Sequence, residues 1–242
     1  MNKNTILEFI NKYKLGGEIK SVLWKIDNGI LSTESITGDK SALIKIHSNK
    51  NVFPKSHNSK SAVYNTPNLE RLLSPLDDTI SIKVDKNKMV FKDTDLSSQY
   101  ILSNLSVIPQ PPALKNLPNT WEKDFVFDNS IVHKFIKASN SSTDWETFTI
   151  FNDKVVLGYS RSLTNRIELP LSFVQKSSIH NKKWQGSLSF NLSNFTHFLK
   201  AHSDCDEIRI QVSSQGLMKA TGKNKDYSTE VYFVSCVSTT SP

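Results

Sequence analysis

Three kinds of side chain in this sequence could do chemistry. Carboxylates come close together at Asp77-Asp78 and at Asp93 with Asp95, the residue type that general acid–base work uses. Both sets fall where a strand turn is expected, and Asp is an ordinary turn residue. His197 and His202 could ligate a metal, but five positions apart on a helix they do not share a face, and no third ligand lies near in sequence. No P-loop, G-x-S-x-G or G-x-G-x-x-G occurs among only 8 glycines. These residues therefore assign no catalytic group, no metal and no cofactor. The third kind is cationic: 30 Lys and Arg against 23 Asp and Glu give a formal charge of +7 and a pI near 9.2. Clustered cations displace counterions from phosphates, so the chemistry on offer is electrostatic capture of a polyanion. The loop His180 to Trp184, with Lys182-Lys183-Trp184, reads two ways: as a surface that stacks on nucleic acid, or as a solvated hairpin tip beside one packing Trp.

The elements that must position these groups follow a regular order. A first helix is expected from Thr5 to Leu15, with Thr5 as cap, Glu8 completing a capping box and Gly16 as the stop. Its stripe is Ile6, Phe9, Ile10 and Tyr13, which leaves Lys12 and Lys14 mostly toward solvent. Strands follow at 22–26, 30–36 and 42–47, the first two joined by the turn Asp27-Asn28-Gly29, and 49–60 reads as loop. Thr66 is expected to cap a second helix with Pro67 at its first helical position, Leu69, Leu72 and Leu73 inward and Pro75 at its end. Strands are expected again at 80–84, 89–91 and 99–105.

Pro109 to Pro118 (PQPPALKNLP) interrupts this order. Proline fixes φ and donates no hydrogen bond, so the segment is an extended strap. Beyond it the order repeats. Asp128 or Ser130 caps a third helix whose stripe is Ile131, Val132, Phe135 and Ile136, and strands follow at 145–151, 155–160 and 166–173. A fourth helix starts near Ser193, buries Phe195, Phe198 and Leu199, and presents His197, Lys200 and His202 to solvent. Strands at 207–212, 217–220 and 229–236 finish the chain.

Composition bounds the class. At 242 residues with 37% hydrophobic and 22% charged content, the chain is long enough to bury a proper core. No apolar run approaches the roughly 20 residues of a membrane span, and the first residues lack a signal-peptide plan. Two cysteines, Cys205 and Cys236, fit a reducing cytoplasm.

The repeat aligns residue against residue: Asp78 to Val84 (DTISIKV) lies against Asp206 to Val212 (DEIRIQV), and Ile6, Phe9 and Ile10 against Val132, Phe135 and Ile136. Helix starts recur roughly every sixty residues, four times. With DDTISIKVDKNKMVF, DEIRIQVSSQGLMKA, the connector PQPPALKNLP and the terminal STEVYFVSCVS, the chain resembles the DNA polymerase sliding clamps, the processivity factors of the T-even bacteriophage type. The fold class expected is then α+β: two similar clamp domains, 1–108 and 119–242, joined by the strap 109–118, each with two short helices on antiparallel sheets.

The resemblance implies a homotrimeric ring around double-stranded DNA, without enzymatic activity. It implies loading by an ATP-driven clamp loader, tethering of the DNA polymerase and, in phages of this type, a part in late transcription. The lysines and arginine it places toward DNA are Lys3, Lys12, Lys14, Arg71, Lys134, Lys137 and Lys200. A sliding tether cannot read bases, so many weak phosphate contacts suit it. For partner peptides it points to Ile108, Pro109, Pro112, Leu114 and Leu117 of the strap, with Phe233 and Val234 as floor. Each set has a plainer reading: surface helices carry lysines in any case, and apolar strap residues can simply staple it down. Family clamps are often acidic outside and this chain is basic, which keeps open a basic-faced processivity factor without a closed ring. A β-rich viral structural protein is the alternative from another class.

Overall fold

A computed structural model describes residues 2–55, 57–113, 117–159, 165–171 and 186–236. The chain divides into two units, and two segments trade places between them. Unit 1 is Met1–Gly38, Ile44–Pro112 and Lys225–Thr229; unit 2 is Asp39–Leu43, Ala113–Asn224 and Glu230–Pro242.

Unit 1 opens with α1 (Lys3–Tyr13). Asn2, not Thr5, caps it: the Asn2 side chain accepts from the Asn4 amide, and Thr5 N donates to Asn2 O. Asn is as good a cap as Thr, so the helix starts at the earlier of two competent residues. A 3₁₀ turn at Leu15–Gly17, with Gly16 at φ 68°, ends it. Ile6, Phe9, Ile10 and Tyr13 are buried as the periodicity requires, and Phe9 meets Tyr13 and Trp24 edge-on at centroid distances of 5.6 and 6.0 Å. Trp24 belongs to β1 (Val22–Asp27), which sits in the strand order β4 (Ser59–Val63), β1, β2 (Ile30–Ile36), β3 (Ala42–Ser48).

The turn between β1 and β2 needs its glycine. Gly29 has φ +80°, and a Cβ there would lie 2.4 Å from Phe53 O; only Gly populates that region freely with the chain so close. The following loop folds back over it, with the Val52 and Phe53 amides both donating to Gly29 O.

α2 (Thr66–Leu73) starts one residue before Pro67, and Asn65, not Thr66, is its cap, accepting from the Asn68 amide because Asn is at least as good a cap as Thr. Tyr13 Oη and Thr66 Oγ1 share a buried hydrogen bond of 3.1 Å, and burial pushes the Tyr13 phenol well above its ordinary value. A second sheet runs β5 (Ser81–Val84), β6 (Lys88–Lys92), β7 (Ser97–Ile101), with Met89, Phe91 and Tyr100 inward.

Unit 2 repeats the plan with β8 (Lys123–Asp128), α3 (Asn129–Ser139), β9 (Thr147–Ile150), β10 (Lys154–Leu157), β11 (Ile167–Pro170), β12 (Leu188–Asn191), α4 (Leu192–Ala201), β13 (Glu207–Ser213), β14 (Leu217–Lys223) and the end of β15 (Tyr227–Val234). One sheet is ordered β11-β10-β9-β12; the other runs from β15 through β14 and β13 to β8. Its core is aromatic: Phe195 stacks on Phe148 at 4.8 Å and meets Phe135 edge-on at 5.2 Å. Such offset and edge contacts add to plain area burial.

Three strands escaped the sequence reading. β8 and β12 run straight into helices, so Asp128 and Asn191 are at once the last strand residues and the helix caps. β4 begins inside the stretch read as loop, because its first residues are polar. β7 lies at 97–101 and not 99–105, and β15 spans 227–234 and not 229–236. The strand expected at 166–173 is seen as β11 at 167–170, and the part beyond residue 171 lies outside the described residues.

Candidate nucleic-acid interface

The seven cations placed toward DNA divide sharply. Lys12 is 3% exposed, its ammonium 5.7 Å from the centre of the Tyr227 ring. This corrects the solvent-facing position: Tyr227, which donates to Thr5 O at 2.6 Å, folds over the helix from far along the chain. Lys14 Nζ is 2.8 Å from Glu70 Oε1, each side chain 28% exposed, tying α1 to α2. Lys3 Nζ reaches the Leu76 carbonyl, with Ser74 O at 3.5 Å and Asp78 Oδ1 at 4.0 Å. Its charge thus sits against the carbonyls just past α2, where a helix end favours a cation. Arg71, Lys134, Lys137 and Lys200 are exposed and have no side-chain partner among the described residues.

The other groups take plain structural places. His202, expected in solvent, is buried: Nδ1 lies 2.8 Å from Phe198 O and its ring 4.4 Å from that of Phe198. A ring that caps its own helix and packs on the preceding turn is core, which corrects the surface reading. Among the described residues no three of His, Cys, Asp and Glu are placed to hold a metal. Asp93 accepts from the amides of Asp77 (2.8 Å), Leu96 (2.6 Å) and Asp95 (2.9 Å). Those bonds, the Asp77 amide first, hold its carboxyl below the ordinary value. It is a turn carboxylate. The basic loop at 180–184 lies outside the described residues.

The strap residues separate as well. Ile108 is buried against Leu23 and Ala62 in unit 1, the stapling role. Pro109 and Pro112, also of unit 1, are exposed; Leu117, in unit 2, is exposed, and Leu114 lies outside the described residues. In unit 2, Phe233 is 1% exposed and Val234 50%.

Strand ends and one cavity complete the surface. β5 and β7 stand at the two ends of one strand order and β11 and β12 at the ends of another, and Ile101 of β7 is 61% exposed. Beside β11, Phe127, Ile131, Lys134, Val155, Leu169 and Pro170 line an open cavity of about 150 Å³. The sequence signal for it was faint, because β8, which supplies Phe127, was not assigned as a strand. No helix is long and apolar enough to cross a membrane among the described residues.

No family model matches the sequence, and no curated protein sequence matches it either. The fold does match. It superposes on the proliferating cellular nuclear antigen of Entamoeba histolytica over 97% of this chain and 96% of that one, with a TM-score of 0.70 at 13% identity. It superposes equally on a chain of the PCNA2–PCNA3 complex of Sulfolobus tokodaii, over 97% of both chains, with a TM-score of 0.69 at 14% identity. The architecture is thus the α+β sliding-clamp fold of two similar domains. The structures it resembles are clamps of the PCNA type.

Proposed function

We propose that the protein is a non-enzymatic DNA sliding clamp, a ring of identical chains that encircles duplex DNA and tethers a replicative polymerase. The observation that carries this is likeness of fold along the whole chain to two PCNA-type structures. A part-length match would fit a shared module; a match over both domains fits shared architecture. The exposed helix cations Arg71, Lys134, Lys137 and Lys200 support a sequence-independent grip on phosphates. The strand ends at β7 and β11 support closure, since an open edge is an aggregation hazard unless another strand covers it. Head-to-tail pairing of one copy's β7 with the next copy's β11 would cover both and close a ring.

In the finer reading, the ring is a homotrimer of the T-even phage type, loaded by an ATP-driven loader in the cytoplasm and open to late-transcription partners. The exposed strap residues Pro109, Pro112 and Leu117 offer the polymerase an anchor. Light scattering across a dilution series tests the ring. A mass near three chains that persists at low micromolar concentration is expected. A monomer that still binds DNA with steep salt dependence would replace the ring with an open, basic-faced processivity factor.

A further inference from the structure

The two helix pairs offer very different charge. On α3, Ser130, His133, Lys134 and Lys137 are exposed and recur at helical spacing, making one stripe. On α4, Ser193 and Lys200 are exposed, with His197 half-buried between them. Neither helix contains an Asp or Glu. In unit 1 the same count of cations is spent internally: Lys12 under Tyr227, Lys14 on Glu70, Lys3 against the Ser74 and Leu76 carbonyls. α1 exposes Asn4, Glu8 and Asn11 and no cation; α2 exposes Arg71. The exposed charge of α1 and α2 therefore cancels, Arg71 against Glu8, while α3 and α4 present three lysines with no ion-pair partner among the described residues, against one exposed carboxylate, the α3 cap Asp128.

We propose that the grip on duplex DNA is polarised: α3 and α4, through Lys134, Lys137 and Lys200 with His133 as an added donor, hold the phosphates. α1 and α2 serve as scaffold, with Arg71 their single contact. This rests on the clamp reading and narrows it. An ion-paired lysine presents almost no net field to a phosphate beyond its partner, and a buried one cannot approach a phosphate at all. Phosphate contacts then come from one helix pair per chain, so a ring would touch the duplex in evenly spaced patches around it.

The test titrates the full-length protein onto a short linear duplex with free ends, reading fluorescence anisotropy between about 50 and 200 mM salt. The slope of log affinity against log salt counts phosphate contacts, near 0.9 for each. The triple variant Lys134→Gln, Lys137→Gln, Lys200→Gln is expected to lower that slope by about two or three, and Arg71→Gln by about one or less. Arginine at the same three positions should restore it. Lys14→Gln should leave it unchanged. Equal losses from the triple variant and Arg71→Gln, or a loss from Lys14→Gln, would overturn the polarised grip and leave the clamp intact. Unchanged slopes throughout would overturn both this inference and the DNA-facing role of the helices. The ring mass, measured separately, decides whether the clamp reading falls with them.

Discussion

Lys14 and Glu70 join two helices that lie far apart in sequence, Nζ to Oε1 at 2.8 Å with both side chains mostly covered. The pair takes a cation away from solvent and turns it into a brace between α1 and α2. Replacing either partner, Lys14→Gln or Glu70→Gln, should cost about 1 kcal/mol in urea unfolding, with the double variant recovering part of the loss.

Lys12 is expected to tolerate an apolar replacement and to reject charge reversal. Lys12→Met keeps the stem packed near Tyr227 and should stay within about 1 kcal/mol of the parent. Lys12→Glu puts an uncompensated carboxylate into a buried site and should cost about 3 kcal/mol or more. Circular dichroism melts of the two variants give the comparison; equal melting temperatures would contradict the burial.

Gly29→Ala places a Cβ 2.4 Å from Phe53 O at φ +80°. Strain of that kind costs about 1–3 kcal/mol. Because the Val52 and Phe53 amides both bond to Gly29 O, amide exchange in the 49–58 loop should rise along with the drop in melting temperature.

Ile108→Ala removes the residue that fills the space against Leu23 and Ala62 and should cost about 2–4 kcal/mol. Leu117→Ala, at an exposed position, should change stability by less than about 0.5 kcal/mol. If the strap serves only as a staple, polymerase stimulation will follow stability alone; if it anchors a partner, Leu117→Ala will lose stimulation while remaining folded.

Asp93 gives the acid limb of stability a definite sign. Its folded carboxyl titrates below the ordinary value because the amides of Asp77, Leu96 and Asp95 bond the ionised form. The stabilisation is present above the unfolded carboxylate value of about 4 and is lost as pH falls through the lower folded value. Asp93→Asn should therefore flatten the acid limb of a stability–pH curve and leave the alkaline limb unchanged.

The helices were the most legible part of the fold. Ile6, Phe9, Ile10 and Tyr13 on one helix, and Val132 with Phe135 on another, announce their buried faces by spacing alone, and Gly29 and Pro67 mark their turn and helix start. Elements whose ends coincide were less legible: Asp128 and Asn191 serve strand and helix together, so the helix signal masked the strand. The cations were the least legible. Lys12 and Lys134 look alike in their helices, and only residues distant in sequence decide that one lies under Tyr227 while the other is exposed. Local periodicity carries no information about such contacts.

The exchange of short segments between the units has a consequence for how the chain is made. Tyr227 packs 6.1 Å from Phe9 and bonds to Thr5 O, yet it leaves the ribosome 222 residues after Thr5. Unit 1 lacks part of itself, however early its helices form, until Lys225–Thr229 has been made. A nascent chain stalled after the strap holds a core with its lid missing, and an expressed fragment ending there would expose Phe9 and Lys12 together. β15 is in this sense a clasp: it must be made before the first unit can settle.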